Sequence, residues 1–94
     1  MTSDRYELRL SAGARRDLSE RLPPRVAFAV WEFCRGPLRD NPYRVGRPLG
    51  EPFEGCFGAR RGSYRVRYEI FDDVMVVNVI AIVVRADAYN PRRA

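Results

Sequence analysis

Residues 64–70 read Tyr-Arg-Val-Arg-Tyr-Glu-Ile, with apolar or aromatic side chains at the even positions and charged side chains at the odd positions. Successive side chains of a β-strand point to opposite faces of the sheet, so this alternation predicts a strand with one face in the core and the other in solvent. Arg65 and Arg67 would then stand side by side on the open face. Because arginine binds phosphate and carboxylate groups through two donors at once, this pair is a candidate site for an anionic ligand.

The segments beside this strand predict two more strands joined to it by tight turns. Residues 53–60 are expected to form the preceding strand and Arg61-Gly62-Ser63 a tight turn after it, in which Gly62 can adopt a positive φ angle. Two aspartates, Asp72 and Asp73, mark the following turn. Residues 74–84 are β-branched almost throughout, which is typical of a strand covered on both faces or on most of both. The three strands should form an antiparallel meander.

The beginning of the chain predicts a strand and a helix. Residues 6–10 alternate between polar and apolar side chains, as in a short strand. Ser11 is placed to cap a helix over residues 12–22. The helix must end there, because Pro23 and Pro24 cannot continue it.

Pro24 can begin a second helix that runs to Gly36. Apolar side chains recur along it at helical spacing, and Trp31 belongs to this stripe, so we assign Trp31 to the core. Residues 37–52 show no periodicity and are expected to form a connecting loop. The predicted fold is therefore α+β in the order β-α-α-β-β-β, a small antiparallel sheet with two helices packed on one face.

Length and composition predict a single domain over residues 1–94 in the cytoplasm. A chain of 94 residues with 46% hydrophobic residues has room for one modest core. The sequence contains no apolar stretch long enough for a membrane span, and its first residues carry charges where a signal peptide would be apolar. The two cysteines, Cys34 and Cys56, have no histidine near them to complete a metal site, so both are expected to be free, buried or half-buried thiols.

The charge of the chain points to a polyanionic partner. Its net charge is +5, and all seventeen cationic residues are arginine. A basic domain of this kind suits nucleic acid or an acidic protein, and no basic amphipathic helix favours a membrane surface. The arginines of the predicted loop, Arg39, Arg44 and Arg47, would either contact the ligand or form a solvated surface.

The complete absence of histidine excludes several kinds of enzyme. Histidine is the only side chain whose unperturbed pKa lies close to neutral pH. Histidine-dependent triads and most zinc hydrolase schemes are therefore excluded, and any acid–base chemistry must use tyrosine, a carboxylate or a cysteine.

The order of elements, residues 41–49, residues 55–72 and the terminal Arg85-Ala86-Asp87-Ala88-Tyr89 together resemble toxins of the RelE/ParE superfamily of type II toxin–antitoxin modules, closest to the RelE branch. The resemblance covers nearly the whole chain. It implies a microbial RNase fold and a ribosome-dependent mRNA endonuclease, or mRNA interferase, that needs no metal or other cofactor. The ribose 2′-hydroxyl would attack the adjacent phosphodiester in the ribosomal A site. The partners implied are the ribosome, mRNA and a cognate RelB-like antitoxin.

The resemblance also implies roles for particular residues. Arg65 would hold the scissile phosphate, Arg85 would follow the last strand as a second cation, and Tyr89 would stack on a base or assist proton transfer. Arg60 lies where relatives place a basic residue before the hairpin turn. The residues expected to bind the nucleic acid around this catalytic set are Arg44, Arg47, Arg61 and Arg67.

Other interpretations remain open at this stage. The same fold occurs in ParE-like toxins that poison DNA gyrase without enzymatic activity, and the chain could be a catalytically weakened toxin remnant. On the residues alone, Arg65 and Arg67 could pair with Glu69 or Asp72 as an ordinary solvated sheet face. Tyr89 could serve only to anchor the C-terminal segment against the sheet.

Overall fold

The computed structural model describes residues 5–84. Its elements are β1 (Glu7–Leu10), α1 (Ala12–Arg16), α2 (Pro24–Phe33), α3 (Pro42–Val45), β2 (Arg47–Pro48), β3 (Phe57–Arg61), β4 (Tyr64–Phe71) and β5 (Val76–Val84). Wider π-helical turns extend α1 over Asp17–Arg21 and α2 over Cys34–Leu38. The predicted α+β class and the order of the main elements are confirmed.

The strands form one five-stranded sheet in the order β1-β5-β4-β3-β2. Strands β3, β4 and β5 form the predicted antiparallel meander. Strand β1 pairs with β5 in parallel, so the sheet is mixed and the prediction of a purely antiparallel sheet was wrong in this detail. The two helices separate β1 from the meander, so no tight turn fixes its direction, whereas tight turns fix the direction of each later strand.

The core lies on one face of the sheet, beneath the helices. The even-numbered residues Val66 and Tyr68 of β4 are fully buried, whereas Arg65 is exposed on the opposite face. Val30 and Leu38 from the helical layer belong to the same buried cluster. The alternation in β4 therefore predicted its inner and outer faces correctly.

Strand β5 is less covered than its composition suggested. An irregularity in its pairing with β4, opposite Arg67 and Tyr68, shifts the register by one residue. Because a one-residue shift reverses the faces, Val79 before the shift and Ile82 after it both point into the core. Val83 remains 51% exposed, so the strand is covered over most of its length but not at this end.

The sequence predicted the starts of α1 and α2 correctly. The Ser11 side chain accepts a hydrogen bond from the Ala14 backbone amide at 3.0 Å, and Pro24 is the first residue of α2. The core assignment of Trp31 was wrong, because this side chain is 40% exposed. Val30 and Phe33 supply the buried face of α2 instead, so the apolar stripe is narrower than its sequence pattern.

The predicted loop over residues 37–52 contains regular structure. The helical path continues past Gly36 to Leu38, and Asn41 then caps the short helix α3. Strand β2 follows and pairs with β3. These elements are too short to show a periodicity, which is why the sequence pattern missed them.

The strand predicted over residues 53–60 instead spans Phe57–Arg61. Residues 53–56, the first residues of the predicted strand, form turns instead. The Phe53 amide donates to the Gly50 carbonyl at 2.9 Å, and the Cys56 amide donates to the Phe53 carbonyl at 3.0 Å. Gly55 lies within these turns at a φ angle of 90°, a conformation that favours glycine. The next turn consists of Gly62, at a φ angle of 56°, and Ser63, whereas the predicted turn also included Arg61, which belongs to β3.

Candidate anion-binding site

Five arginines line a cleft of about 670 Å³ on the described part of the chain. The cleft lies between the α3–β2 segment and strands β3 and β4. The arginines are Arg44, Arg47, Arg60, Arg61 and Arg65, which we call the arginine cleft. The other lining residues are glycine, proline, valine and leucine, so no described residue of the lining carries a negative charge.

The register of the sheet brings the arginines together. The two-residue turn of the β3–β4 hairpin places Arg60 directly opposite Arg65 on the open face. On the next row of the same face, Arg47, Gly58 and Arg67 lie across from one another on β2, β3 and β4. The sequence predicted that Arg65 and Arg67 are neighbours along one strand. The structure adds Arg60, which lies directly opposite Arg65 on the adjacent strand.

The exposed arginines of the cleft have no described counterion. Within residues 5–84, none of the five guanidinium groups takes part in an ion pair with Asp or Glu. The two carboxylates that the sequence offered as partners bind elsewhere. Asn78 Nδ2 donates to Glu69 at 3.4 Å, and two tyrosine hydroxyls donate to Asp72. The arrangement is therefore not an ordinary salt-bridged sheet face, and an anionic ligand can satisfy it.

Arg61 lines the cleft differently from the other four arginines. It points toward the helices, where its guanidinium carbon lies 4.7 Å from the centre of the Phe33 ring. One of its terminal nitrogens also donates to the Arg60 carbonyl at 2.8 Å. These contacts hold the charge of Arg61 at the margin of the cleft.

A second, smaller hollow of about 280 Å³ adjoins the cleft. Arg60 and Arg65 line both spaces, and Val83 lies opposite Arg65 at the end of β5. These two arginines therefore form the centre of the site. Arg85 and Tyr89, the two other predicted catalytic residues, lie outside the described residues.

Helix α3 forms one wall of the cleft and is held by side chains from the sheet. The buried Tyr68 hydroxyl donates to the Pro42 carbonyl at 2.5 Å. Tyr43 packs edge-on against Phe57, with ring centres 5.6 Å apart. A Cβ atom on Gly46 would collide with the Tyr68 hydroxyl and lie 2.8 Å from the Gly58 carbonyl oxygen, so only glycine fits this close approach.

Asp72 connects α3 to the far edge of the sheet. It accepts hydrogen bonds from the hydroxyls of Tyr6, at 2.6 Å, and of Tyr43. These bonds lower the pKa of Asp72, because they stabilise its charged form. The hydrogen bond from Tyr6 to Asp72, together with desolvation, raises the pKa of Tyr6 to about 12. The hydrogen bond from Tyr43 to Asp72 raises the pKa of Tyr43 in the same way. The three groups therefore stay in the protonation states that sustain their hydrogen bonds around neutral pH.

The described residues of the site supply positive charge but no evident proton acceptor. Burial raises the pKa of Tyr64 and raises that of Tyr68 to about 12, so neither phenol ionises near neutral pH. No group of three or more potential metal-ligating side chains occurs within residues 5–84. The arrangement can bind phosphate oxygens and stabilise charge that develops on them.

Arg67 lies beside the cleft rather than in its lining. Its guanidinium carbon is 4.0 Å from the centre of the Phe53 ring. Sequence reasoning placed Phe53 in a strand and assigned it no role. No sequence pattern predicted the turn over residues 50–56, which brings the Phe53 ring back over the open face of the sheet.

No helix in the described part of the chain is long and apolar enough to span a membrane.

No protein-family model matches the chain. Among individual proteins, it is 46% identical to Toxin RelG of Mycobacterium tuberculosis over 85 residues, which cover 90% of this chain and 97% of that protein. It is 47% identical to Toxin RelE of the same organism over 90 residues, which cover 94% of this chain and 92% of that protein.

Solved structures agree with these sequence relatives. A chain in the crystal structure of the toxin–antitoxin complex RelBE2 from Mycobacterium tuberculosis superposes with a TM-score of 0.82 at 44% identity, covering 86% of this chain and 99% of that one. The isolated E. coli RelE toxin superposes with a TM-score of 0.68 at 21% identity, covering 85% and 84%. The second likeness supports the fold alone.

Proposed function

The chain belongs to the RelE family of toxins, and on that premise we propose that it is the toxin of a type II toxin–antitoxin module that cleaves mRNA on the ribosome. The observation that carries this proposal is the arginine cleft. Its guanidinium groups have no described counterion, so the site suits a polyanion such as the phosphate backbone of RNA.

In the proposed reaction, the ribose 2′-oxygen attacks the adjacent phosphorus and the 5′-oxygen of the next nucleotide leaves. The products are a 2′,3′-cyclic phosphate and a 5′-hydroxyl, with one proton lost from the 2′-oxygen and one gained by the leaving oxygen. Arg65 and Arg60 are the groups we assign to the non-bridging phosphate oxygens, because they face each other at the centre of the site. Removing one such donor commonly costs about a hundredfold or more in rate.

The proton transfers require groups beyond the described part of the cleft. Arg85 is proposed as a further cation at the phosphate, and Tyr89 as the residue that stacks on a base or assists proton transfer. We propose no metal ion or other cofactor for this reaction.

The proposed protein partner is a RelB-like antitoxin, because one relative was solved as a toxin–antitoxin complex. An acidic, partly disordered antitoxin would complement the positive charge of this chain and could wrap a large part of its surface. Action on translating ribosomes would place the toxin in the cytoplasm.

Primer extension on an mRNA in a reconstituted translation reaction tests the proposal. The purified protein should cut within codons only when ribosomes are present, and Arg65→Gln should remove the cleavage. Arg25→Gln is the matched control, since Arg25 is an exposed arginine on α2 that does not line the cleft. Intact message under active translation would refute the nuclease proposal, and trapped gyrase–DNA complexes in cells that express the protein would indicate the gyrase-poisoning alternative instead.

A further inference from the structure

Phe53 and Arg67 form a cation–π pair on the open face of the sheet, in which Phe53 is exposed and Arg67 is half-buried. Phe53 belongs to the turns that precede β3 and is 40% exposed, although it is a large apolar side chain. The guanidinium carbon of Arg67 lies 4.0 Å from the centre of its ring. Within residues 5–84, Arg67 takes part in no ion pair, so its charge remains available to a ligand.

This pair lies directly beside the arginine cleft. Arg67 follows Arg65 by two residues on the same face of β4, a separation of about 7 Å along a strand. Gly58 stands between Arg67 and Arg47 across the sheet, and the Leu49 side chain packs over it, 3.0 Å from where a Cβ atom would lie. The route from Arg65 to Arg67 therefore runs along β4, so a strand of RNA that places a phosphate at Arg65 passes next to Arg67.

We propose that Phe53 and Arg67 form a stacking platform for a nucleobase adjacent to the phosphate bound in the arginine cleft. The inference rests on the proposed function, since it assigns a subsite for the same RNA strand. Aromatic rings and arginine planes are the two kinds of side chain on which proteins stack unpaired bases of RNA. Phe53 carries no hydrogen-bonding group, so this subsite selects by stacking strength and favours the larger purines over pyrimidines.

If the contact between Phe53 and Arg67 were purely structural, its loss would affect ligand binding differently. The contact with Arg67 would then only hold the turn against the sheet, and its loss would disturb the neighbouring cleft for every ligand. The two roles can be separated with ligands that share a phosphate backbone and differ in whether they carry bases.

The test compares two short oligonucleotides that cannot be cleaved, a 2′-O-methyl oligoadenylate and a fully abasic oligomer with the same number of phosphates. Binding is measured at low salt, where phosphate contacts are strongest. Phe53→Ala should weaken binding of the oligoadenylate by about tenfold, within the range of stacking contributions measured by alanine substitution, and should leave binding of the abasic oligomer unchanged. Phe53→Trp should retain or increase the difference in affinity between the oligoadenylate and the abasic oligomer, and Phe53→Leu should lose this difference.

Two controls accompany this comparison. Phe28→Ala removes an exposed phenylalanine from α2, 67% exposed and outside the lining of the cleft, and should change neither affinity. An oligonucleotide with 2-aminopurine in place of adenine should lose fluorescence on binding to the wild type and not to Phe53→Ala, because stacking quenches this base.

The outcome for the abasic oligomer separates the two proposals. If Arg65→Gln does not weaken its binding, the phosphate-binding role of the cleft fails. If Arg65→Gln weakens it but Phe53→Ala changes both probes by the same factor, or neither, only the stacking platform is overturned.

Discussion

Replacing Arg65 by glutamine should stabilise the folded protein even as it removes the proposed activity. Arg65 lies directly opposite Arg60 in the β3–β4 hairpin, and no described carboxylate neutralises either group. Like charges at opposed positions of two strands are destabilising. Glutamine keeps most of the side-chain stem and a polar end but removes one of the two charges.

The size of the effect follows from Coulomb's law. Both side chains are exposed, so a water-like dielectric applies. Opposed Cβ atoms of two strands lie about 5 Å apart, and with about 6 Å taken between the two charges, Coulomb's law gives a repulsion of about 0.7 kcal/mol. This value lies within the range of about 0.2–1 kcal/mol for cross-strand pairs. In a domain of this size, it corresponds to a rise of about 3–6 °C in Tm.

Calorimetry at two salt concentrations tests this reasoning. The gain in Tm should be full near 10 mM NaCl and should vanish near 1 M NaCl, where the Debye length falls to about 3 Å. Arg9→Gln is the matched control, because Arg9 is an exposed arginine on β1 that lies 3.5 Å from Glu7. Its replacement should leave Tm unchanged or lower it slightly.

An unchanged or lower Tm for Arg65→Gln at low salt would refute the electrostatic argument. So would a gain that persists at 1 M NaCl, since the cause would then be packing or the unfolded state. In either case, the description of the cleft as a cluster of uncompensated charge would be wrong.

Three further predictions concern the parts of the fold that support the site. The pKa of Asp72 is lower in the folded state than in the unfolded state. The stability that its charge contributes is therefore present above the unfolded pKa of about 3.9 and is lost as pH falls through the folded pKa. Thermal melts from pH 7 to pH 2 should show that Asp72→Asn is less stable than the wild type at pH 7 and equally stable at the acid end. Gly46→Ala should destabilise the protein by about 1–3 kcal/mol, because its new methyl group meets a buried tyrosine hydroxyl and a carbonyl oxygen, whereas Gly50→Ala meets nothing and should be near neutral in urea unfolding. Ellman's reagent should titrate the half-buried Cys56 in the native protein, and Cys34 only after denaturation, because Cys34 is fully buried and burial raises its pKa to about 12.

The meander could be predicted because its signals are local. Alternation over residues 64–70 determined which face of β4 is buried, and Gly62 marked the hairpin turn. The observed two-residue turn at Gly62 and Ser63 places Arg60 opposite Arg65, whereas the predicted turn also included Arg61 and would have shifted this pairing by one residue. The sequence pattern therefore predicted the strands and the hairpin of this part of the site but not the register that pairs the two arginines, and the predicted β3 began and ended too early.

The α3 wall of the cleft could not be predicted in the same way. Helix α3 and strand β2 are too short for a periodic signal, and contacts distant in sequence fix their position. Tyr68 binds the Pro42 carbonyl across 26 residues, and Asp72 binds Tyr43 across 29. The sequence therefore showed Arg44 and Arg47 as loop arginines and left open whether they bind a ligand.

Arginine content alone also fails to locate the site. The chain has seventeen arginines, and several on the helical side are held by carboxylates, such as Arg21 by Asp17 at 3.1 Å. What distinguishes the five arginines of the cleft is that the fold gathers them around one space whose described lining carries no carboxylate, which is a property of their arrangement in space. Since concentrating like charge costs stability, a fold that keeps these groups together without counterions gains most when a polyanion binds there. The proposed RNA substrate and an acidic antitoxin would both supply that charge, so each should stabilise the protein in proportion to the repulsion it removes.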